Sequence, residues 1–114
     1  MKLEINTVLD GIAKYIDKEI YTGMNDWQEL VARIAVGRVL NDKSSIVSFL
    51  LQNPIIKSLV LVDDNGLVDV DRLFEDIKRE MARKGNIKLS IPLFGTMSFS
   101  SADVDMLYRE IISM

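Results

Sequence analysis

A segment of nine residues occurs twice in this chain, and this repeat constrains the fold more than any other feature of the sequence. The copies, residues 69–77 and 103–111, are identical at five positions and keep an aromatic ring at another, where Phe74 is matched by Tyr108. Within each copy the apolar residues are spaced so that they lie on one face of a helix. Aspartate at a helix start accepts hydrogen bonds from free backbone N–H groups. The repeat therefore predicts two similar amphipathic helices, each entered through aspartates.

The residues between the two copies have the pattern of a β-hairpin. Apolar and polar residues alternate at 87–91 and again at 96–99, on either side of a segment that contains proline and glycine. Successive side chains of a strand point to opposite faces, so this alternation gives the hairpin one apolar face. We predict a hairpin at 87–100, inserted between the two similar helices. We also expect a short strand near 67–69, which follows a turn at 63–66, to join this hairpin.

Helical periodicity covers most of the N-terminal half of the chain. The length of 114 residues and the hydrophobic content of 48% suit one domain, residues 1–114. Asn53 and Pro54 interrupt the third helical segment and restart it, since proline is favoured at a first helical position. The predicted fold class is α+β and mainly α: about five helices, with a C-terminal β-hairpin inserted between two similar helices. The predicted helices span 3–21, 26–41, 44–52, 70–84 and 101–112.

The composition removes most of the residue types that enzymes use. The chain has no cysteine and no histidine, so it lacks thiolate nucleophiles, disulfides, the usual general base and the commonest ligands of transition metals. Its six glycines are isolated from one another and form no phosphate-binding loop. We therefore predict a protein that is not an enzyme and that carries no catalytic residue, cofactor or metal.

Two acidic patterns suggest cation binding, and each has a simpler interpretation. The turn at Gly66 places Asp63, Asn65 and Asp69 at the spacing of a calcium-binding loop, but Arg72 stands where the bidentate glutamate belongs. We interpret this segment as a plain turn and keep a divalent-cation sensor as a weaker alternative. The duplicated Asp-Val-Asp elements present four carboxylates that could converge on a cation or a basic partner. Helix capping explains these carboxylates with fewer assumptions.

The second predicted helix is apolar on most of its circumference, and its run from Leu30 to Leu40 carries only two charges, both arginines. Such a helix is either central to the domain or buried against another subunit. The leading hypothesis is a non-catalytic assembly or adaptor protein, which associates with itself or with another protein through apolar helix surface around residues 27–60. The residues predicted for this interface are Trp27, Leu30, Ile34, Arg38 and Phe49.

The main alternative is a small regulatory nucleic-acid-binding domain of helix-turn-helix type, which would use the predicted helices at 26–41 and 44–52. Nucleic acid is the less favoured partner, because the net charge is -3 and the second of these helices is mostly hydrocarbon. We expect no membrane span, since Gln52, Asn53, Pro54 and Lys57 interrupt the longest apolar region. With no secretory signal visible, we expect a soluble, cytoplasmic protein.

Overall fold

The computed structural model describes residues 1–59, 62–91 and 95–114, and of Ile91 it describes the backbone alone. These residues form six helices and two antiparallel two-stranded sheets, which confirms the mainly helical α+β class. The elements in chain order are β1 (Lys2–Glu4), α1 (Ile5–Glu19), α2 (Asp26–Leu40), α3 (Lys43–Leu50), α4 (Pro54–Lys57), β2 (Leu67–Asp69), α5 (Val70–Lys84), β3 (Ile87–Ile91), β4 (Gly95–Phe99) and α6 (Ser101–Ile112).

The predicted C-terminal hairpin is present and lies between the two repeat helices, as expected. In it β3 pairs with β4, so that Ile87 faces Phe99 and Leu89 faces Met97. Ile87 and Leu89 are buried, whereas the side chains that alternate with them are exposed. The hairpin therefore covers the helices with its apolar face. Residues 92–94 of its predicted turn lie outside the described residues.

The two copies of the repeat pack against each other as α5 and α6. The matched aromatic residues Phe74 and Tyr108 are in contact, with ring centroids 5.3 Å apart. On one side of this pair the Tyr108 hydroxyl donates to Asp71, and on the other side Lys78 Nζ lies 2.9 Å from Asp105 Oδ1. These contacts join the start of α5 to the later part of α6, and the start of α6 to the middle of α5. The two helices are therefore antiparallel.

The two Asp-Val-Asp elements start their helices in different ways. Asp69 is the N-cap of α5, and its side chain accepts from the backbone N–H of Arg72. The helix α6 begins earlier relative to the repeat, with Ser100 as its N-cap. Ser100 and Asp103 form a capping box, in which each side chain accepts from the backbone N–H of the other residue. Both elements serve as helix starts, as the sequence predicted.

The prediction that the strand near 67–69 joins the hairpin is wrong. This strand, β2, pairs instead with β1, so that Leu3 faces Val68. The first helix accordingly begins at Ile5 instead of residue 3. Pairing with β1 seals Val68 completely from solvent. The sequence also predicts a short extended segment at 59–62, just before the turn at 63–66, but its residues 60 and 61 lie outside the described residues.

A short additional helix, α4, follows the third predicted helix after Asn53, so the described residues form six helices instead of about five. As predicted, α3 ends before Asn53 and α4 restarts at Pro54. Asn53 is buried, and its Oδ1 accepts from the backbone N–H groups of Ile55 and Ile56. Its Nδ2 donates to the carbonyl of Lys88 in β3 at 3.0 Å. One buried amide therefore both caps α4 and ties it to the hairpin.

The buried apolar residues form two clusters. The larger cluster joins α1 with α3, α4, α5, α6, β2 and β3. The smaller cluster lies between the end of α1 and the inner side of α2, and consists of Ile16, Ile20, Tyr21, Ala32 and Val36. The buried residues of α2, Ala32 and Val36, belong to the smaller cluster alone, and Leu40 at the end of the helix packs against both clusters.

Candidate interaction surface

The second helix is buried on one side only. Ala32 and Val36, one turn apart, face α1 and are almost fully enclosed. On the opposite side, Trp27 is 71% exposed, Leu30 is 53% exposed and Ile34 is 60% exposed. The sequence predicted that this helix is either central or covered by another subunit. The protein by itself leaves its second apolar side uncovered.

The exposed apolar side chains of α2 form one continuous stripe. Trp27, Leu30 and Ile34 are spaced by three and four residues, and Arg38, also exposed, follows one turn later. Residues with this spacing lie above one another on a helix. We call the surface formed by Trp27, Leu30, Ile34 and Arg38 the outer face of α2. Single exposed apolar residues are common on proteins, but a contiguous stripe that includes tryptophan is characteristic of an interaction site.

Four of the five residues predicted for the interface are brought together on this face, and Phe49 is not. Phe49 lies on α3 and packs against both buried clusters, where it is only partly exposed. Its role in the protomer is to join the two clusters. From sequence alone, the apolar spacing of the third helix did not distinguish a residue that faces inward from one that faces a partner.

The two arginines of α2 have different surroundings. Arg33 Nη2 lies 3.0 Å from Glu29 Oε1, and the guanidinium stands 4.2 Å from the centre of the Tyr21 ring. The hydrogen bond to Glu29 raises the pKa of Arg33 above its ordinary value. Tyr21 in turn donates to Asp17 at 3.1 Å, and burial followed by this hydrogen bond raises the pKa of Tyr21. Arg33 is therefore part of the contact between α1 and α2.

Arg38 differs from Arg33 in that it makes no ion pair within the described ranges. It belongs to the last turn of α2, where a cation interacts favourably with the helix dipole. Asp26 and Glu29 lie in the first turn of the same helix. The N-terminal end of the outer face thus carries Trp27, with Asp26 next to it in the first turn, and the C-terminal end carries the guanidinium of Arg38.

The duplicated aspartates do not converge, because α5 and α6 are antiparallel. Asp71 accepts from Tyr108 and lies 2.7 Å from the Met1 ammonium nitrogen. Hydrogen bonds from the ammonium group, and then from Tyr108, lower the pKa of Asp71. Asp105 is paired with Lys78. In the parts of the chain that the structure describes, no group of three or more acidic, histidine or cysteine side chains could hold a metal ion.

The calcium-like segment forms a turn that is closed by its own carboxylate. Asp63 Oδ1 accepts from the backbone N–H groups of Asn65 and Leu67, and Oδ2 lies 3.1 Å from Lys2 Nζ. Gly66 has a φ of 76°, in the left-handed region that favours glycine. Hydrogen bonds from Leu67 and then from Lys2 lower the pKa of Asp63. Both carboxylate oxygens are thus used to hold the turn and β1.

Concave regions also occur elsewhere among the described residues, and the two with the larger volumes differ in chemistry. A cavity of about 90 Å³ lies inside the larger cluster, and only apolar atoms contribute to its surface. An open groove of about 550 Å³ runs between α2, α3 and β3 and is lined in part by Ser44, Ser45, Ser48 and Ser90. The described lining contains no lysine or arginine. The hydroxyl of Ser45 donates to Asp42 Oδ2 at 3.0 Å, and Asp42 is the N-cap of α3.

The helix pair proposed for nucleic-acid binding has a more polar surface than the sequence suggested. Ile46 and Leu50 of α3 are buried, which leaves Ser44 and Ser48 exposed. Two nearby cations are paired, since Arg33 lies beside Glu29 and Lys43 Nζ is 3.6 Å from an Asp10 carboxylate oxygen, whereas Arg38 has no such pair among the described residues. None of the helices in the described ranges is long and apolar enough to cross a bilayer.

No protein family, curated protein or solved structure matches this chain.

Proposed function

We propose that this protein is a non-catalytic assembly protein that associates with itself through the outer face of α2. The observation that carries the proposal is the stripe of Trp27, Leu30 and Ile34, which are each more than half exposed although the inner side of the same helix is buried. A helix with two apolar sides needs a packing surface for each side. The rest of the protomer buries one side, and a second copy buries the other.

The area of Trp27 gives the scale of the driving force. A tryptophan buries about 150–250 Å² when fully enclosed. At 71% exposure, Trp27 retains roughly 100–180 Å² for a partner, which corresponds to about 2.5–4.5 kcal/mol at 25 cal/mol per Å². Association opposes this gain through lost rotational and translational freedom. A dimer buries two such rings, but the opposing cost is of similar size, so we expect weak association with a dissociation constant at the weak end of the micromolar range.

Two measurements test the proposal together: the oligomeric state, and the fluorescence of the only tryptophan in the chain. Light scattering coupled to size-exclusion chromatography, over about 1–500 µM protein, measures the mass around the affinity expected above. Because Trp27 is the single tryptophan, its emission reports on the outer face directly. We expect the mass to rise from monomer to dimer with concentration, and the emission to shift to shorter wavelength along the same curve.

Variants of exposed residues separate this face from the rest of the surface. Ile34→Ala with Leu30→Ala should remove association, because these side chains are largely in solvent in the protomer and the fold does not depend on them. Met106→Ala is the matched control, since Met106 is an apolar residue on α6 that is 50% exposed. Circular dichroism establishes that each variant is folded.

Two outcomes would refute self-assembly through α2. One is a monomer at every concentration, with unchanged Trp27 emission. The other is a dimer that Ile34→Ala with Leu30→Ala leaves intact. Salt-dependent binding of DNA or RNA that is lost on Arg33→Ala with Arg38→Ala would instead support the nucleic-acid alternative.

A further inference from the structure

The ends of the outer face differ in chemistry, and this difference determines how two copies can pair. Trp27 stands at the N-terminal end of the stripe and Arg38 at its C-terminal end, with Leu30 and Ile34 between them. Arg38 is eleven positions after Trp27, which is about 16 Å along a helix at 1.5 Å per residue. The apolar centre is therefore flanked by an aromatic ring on one side and a guanidinium on the other.

We propose that the dimer is two-fold symmetric with its α2 helices antiparallel, so that Trp27 of each copy packs against Arg38 of the other. This inference rests on the proposed function, because it specifies the arrangement of the same interface. The symmetry axis passes near the middle of the stripe, between Leu30 and Ile34. Leu30 and Ile34 of one copy then meet Ile34 and Leu30 of the other, which are the reciprocal contacts of an isologous interface.

Charge complementarity selects the antiparallel arrangement over the parallel one. A parallel pair would place Arg38 beside Arg38 and Asp26 beside Asp26, with the helix dipoles aligned. An antiparallel pair places Arg38 of one copy near both Asp26 and Trp27 of the other. Arg38 is available for this contact, since it makes no ion pair among the residues that the structure describes, whereas Arg33 is held by Glu29 and Tyr21.

The contact between arginine and an aromatic ring already occurs within the protomer. Arg33 stands over the ring of Tyr21, in the turn that follows α1, at 4.2 Å. A guanidinium over an indole is the stronger form of the same interaction, since tryptophan is the best aromatic partner of a cation. The proposed dimer repeats on the outer side of α2 the kind of contact that the helix makes with the turn after α1.

Disulfide cross-linking tests the arrangement, because the chain contains no cysteine and any thiol introduced is unique. A disulfide requires Cα atoms about 4.4–6.8 Å apart. An equal mixture of Trp27→Cys and Arg38→Cys should cross-link, because position 27 of one copy faces position 38 of the other. Such a mixed dimer also keeps one intact contact between Trp27 and Arg38.

Each variant alone is the internal control. Trp27→Cys by itself should remain uncross-linked, since its two thiols would lie about 16 Å apart along the helices. Arg38→Cys alone should behave in the same way. A mixture of Met106→Cys with Arg38→Cys gives the rate of random collision. In the unmodified interface, Arg38→Gln should raise the dimer dissociation constant about 5- to 30-fold, because two cation–π contacts are lost.

The outcomes distinguish this inference from the proposed function. Efficient cross-linking of Trp27→Cys with itself would establish a parallel pair and overturn the antiparallel arrangement, while self-assembly through α2 would stand. The antiparallel arrangement would also be overturned if every mixture cross-linked no faster than random collision while light scattering showed the protein to be dimeric. A monomeric protein would refute both the arrangement and the proposed function.

Discussion

Gly11 and Gly37 both lie inside helices, and their replacement by alanine should change stability in opposite directions. Gly11 belongs to α1 and Gly37 to α2. Alanine is favoured over glycine in a helix interior by about 0.8–1.0 kcal/mol. Because this gain applies at both positions, the surroundings of the added methyl group decide whether the free energy of unfolding rises or falls.

A methyl group at Gly11 meets the core. An ideal Cβ there would lie 2.7 Å from Ile111 Cγ1 and 3.0 Å from Met114 Sδ, whereas carbon atoms prefer separations of about 3.5–4.0 Å. Ile111 is 1% exposed and belongs to the larger cluster, and its branched side chain has one preferred χ1 in a helix. Overpacking of this kind costs about 1–3 kcal/mol. Gly11→Ala should therefore be destabilising by about 1 kcal/mol after the helical gain is subtracted.

A methyl group at Gly37 meets nothing within 4 Å. Gly37→Ala should therefore stabilise the protein by about 0.5–1 kcal/mol. Urea unfolding followed by circular dichroism measures both changes as shifts of the midpoint at constant slope. Measurement at two protein concentrations separates the stability of the protomer from that of a dimer.

A second substitution, which removes the atom that the Gly11 methyl group would contact, tests this explanation. In an Ile111→Ala background the Cγ1 atom is absent, so Gly11→Ala should regain up to about 1 kcal/mol of helical stabilisation. If Gly11→Ala stabilises the otherwise unmodified protein as much as Gly37→Ala does, then α1 and α6 are not in the close contact described above, and the reasoning fails.

Asn53→Ala should destabilise the protein by about 1–3 kcal/mol in thermal or urea unfolding, because it removes the cap of α4 and unpairs a strand carbonyl; unchanged stability would show that this buried amide is dispensable. Tyr108→Phe should raise the pKa of Asp71 towards its ordinary value in an NMR titration. Since the pKa of Asp71 is lowered in the folded protein, its contribution to stability is present above pH about 4 and is lost as the pH falls through the folded-state value. The half-exposed pair of Lys78 and Asp105 should show a coupling of at most about 1 kcal/mol in a double-mutant cycle, which weakens with added salt; a larger, salt-insensitive coupling would contradict the exposed geometry.

The nature and order of most elements could be predicted from the sequence, because the signals that specify them are local. The spacing of apolar residues in the repeat predicted α5 and α6, and the alternation on either side of Pro92 predicted the hairpin. The break at Asn53 and Pro54 was predictable for the same reason. Helical and strand periodicity reflects how successive side chains leave the backbone, which requires no knowledge of the partner surface.

Partners that are distant in the chain could not be predicted in this way. The strand at 2–4 contains a single apolar residue, Leu3, which is too little to show a period, so its pairing with β2 was missed. The antiparallel packing of α5 and α6, which separates Asp71 from Asp105 and pairs them with Tyr108 and Lys78, also leaves no trace in the repeat itself.

The same division holds for the candidate interface. The sequence by itself determined that α2 has apolar residues on both of its sides, and it therefore needs two covers. Only the tertiary structure decided that Ala32 and Val36 face α1, that Trp27, Leu30 and Ile34 face solvent, and that Phe49 packs inside. The physical reason is that burial depends on which surfaces meet after the chain closes over long distances, and a local apolar pattern is compatible with either side being covered.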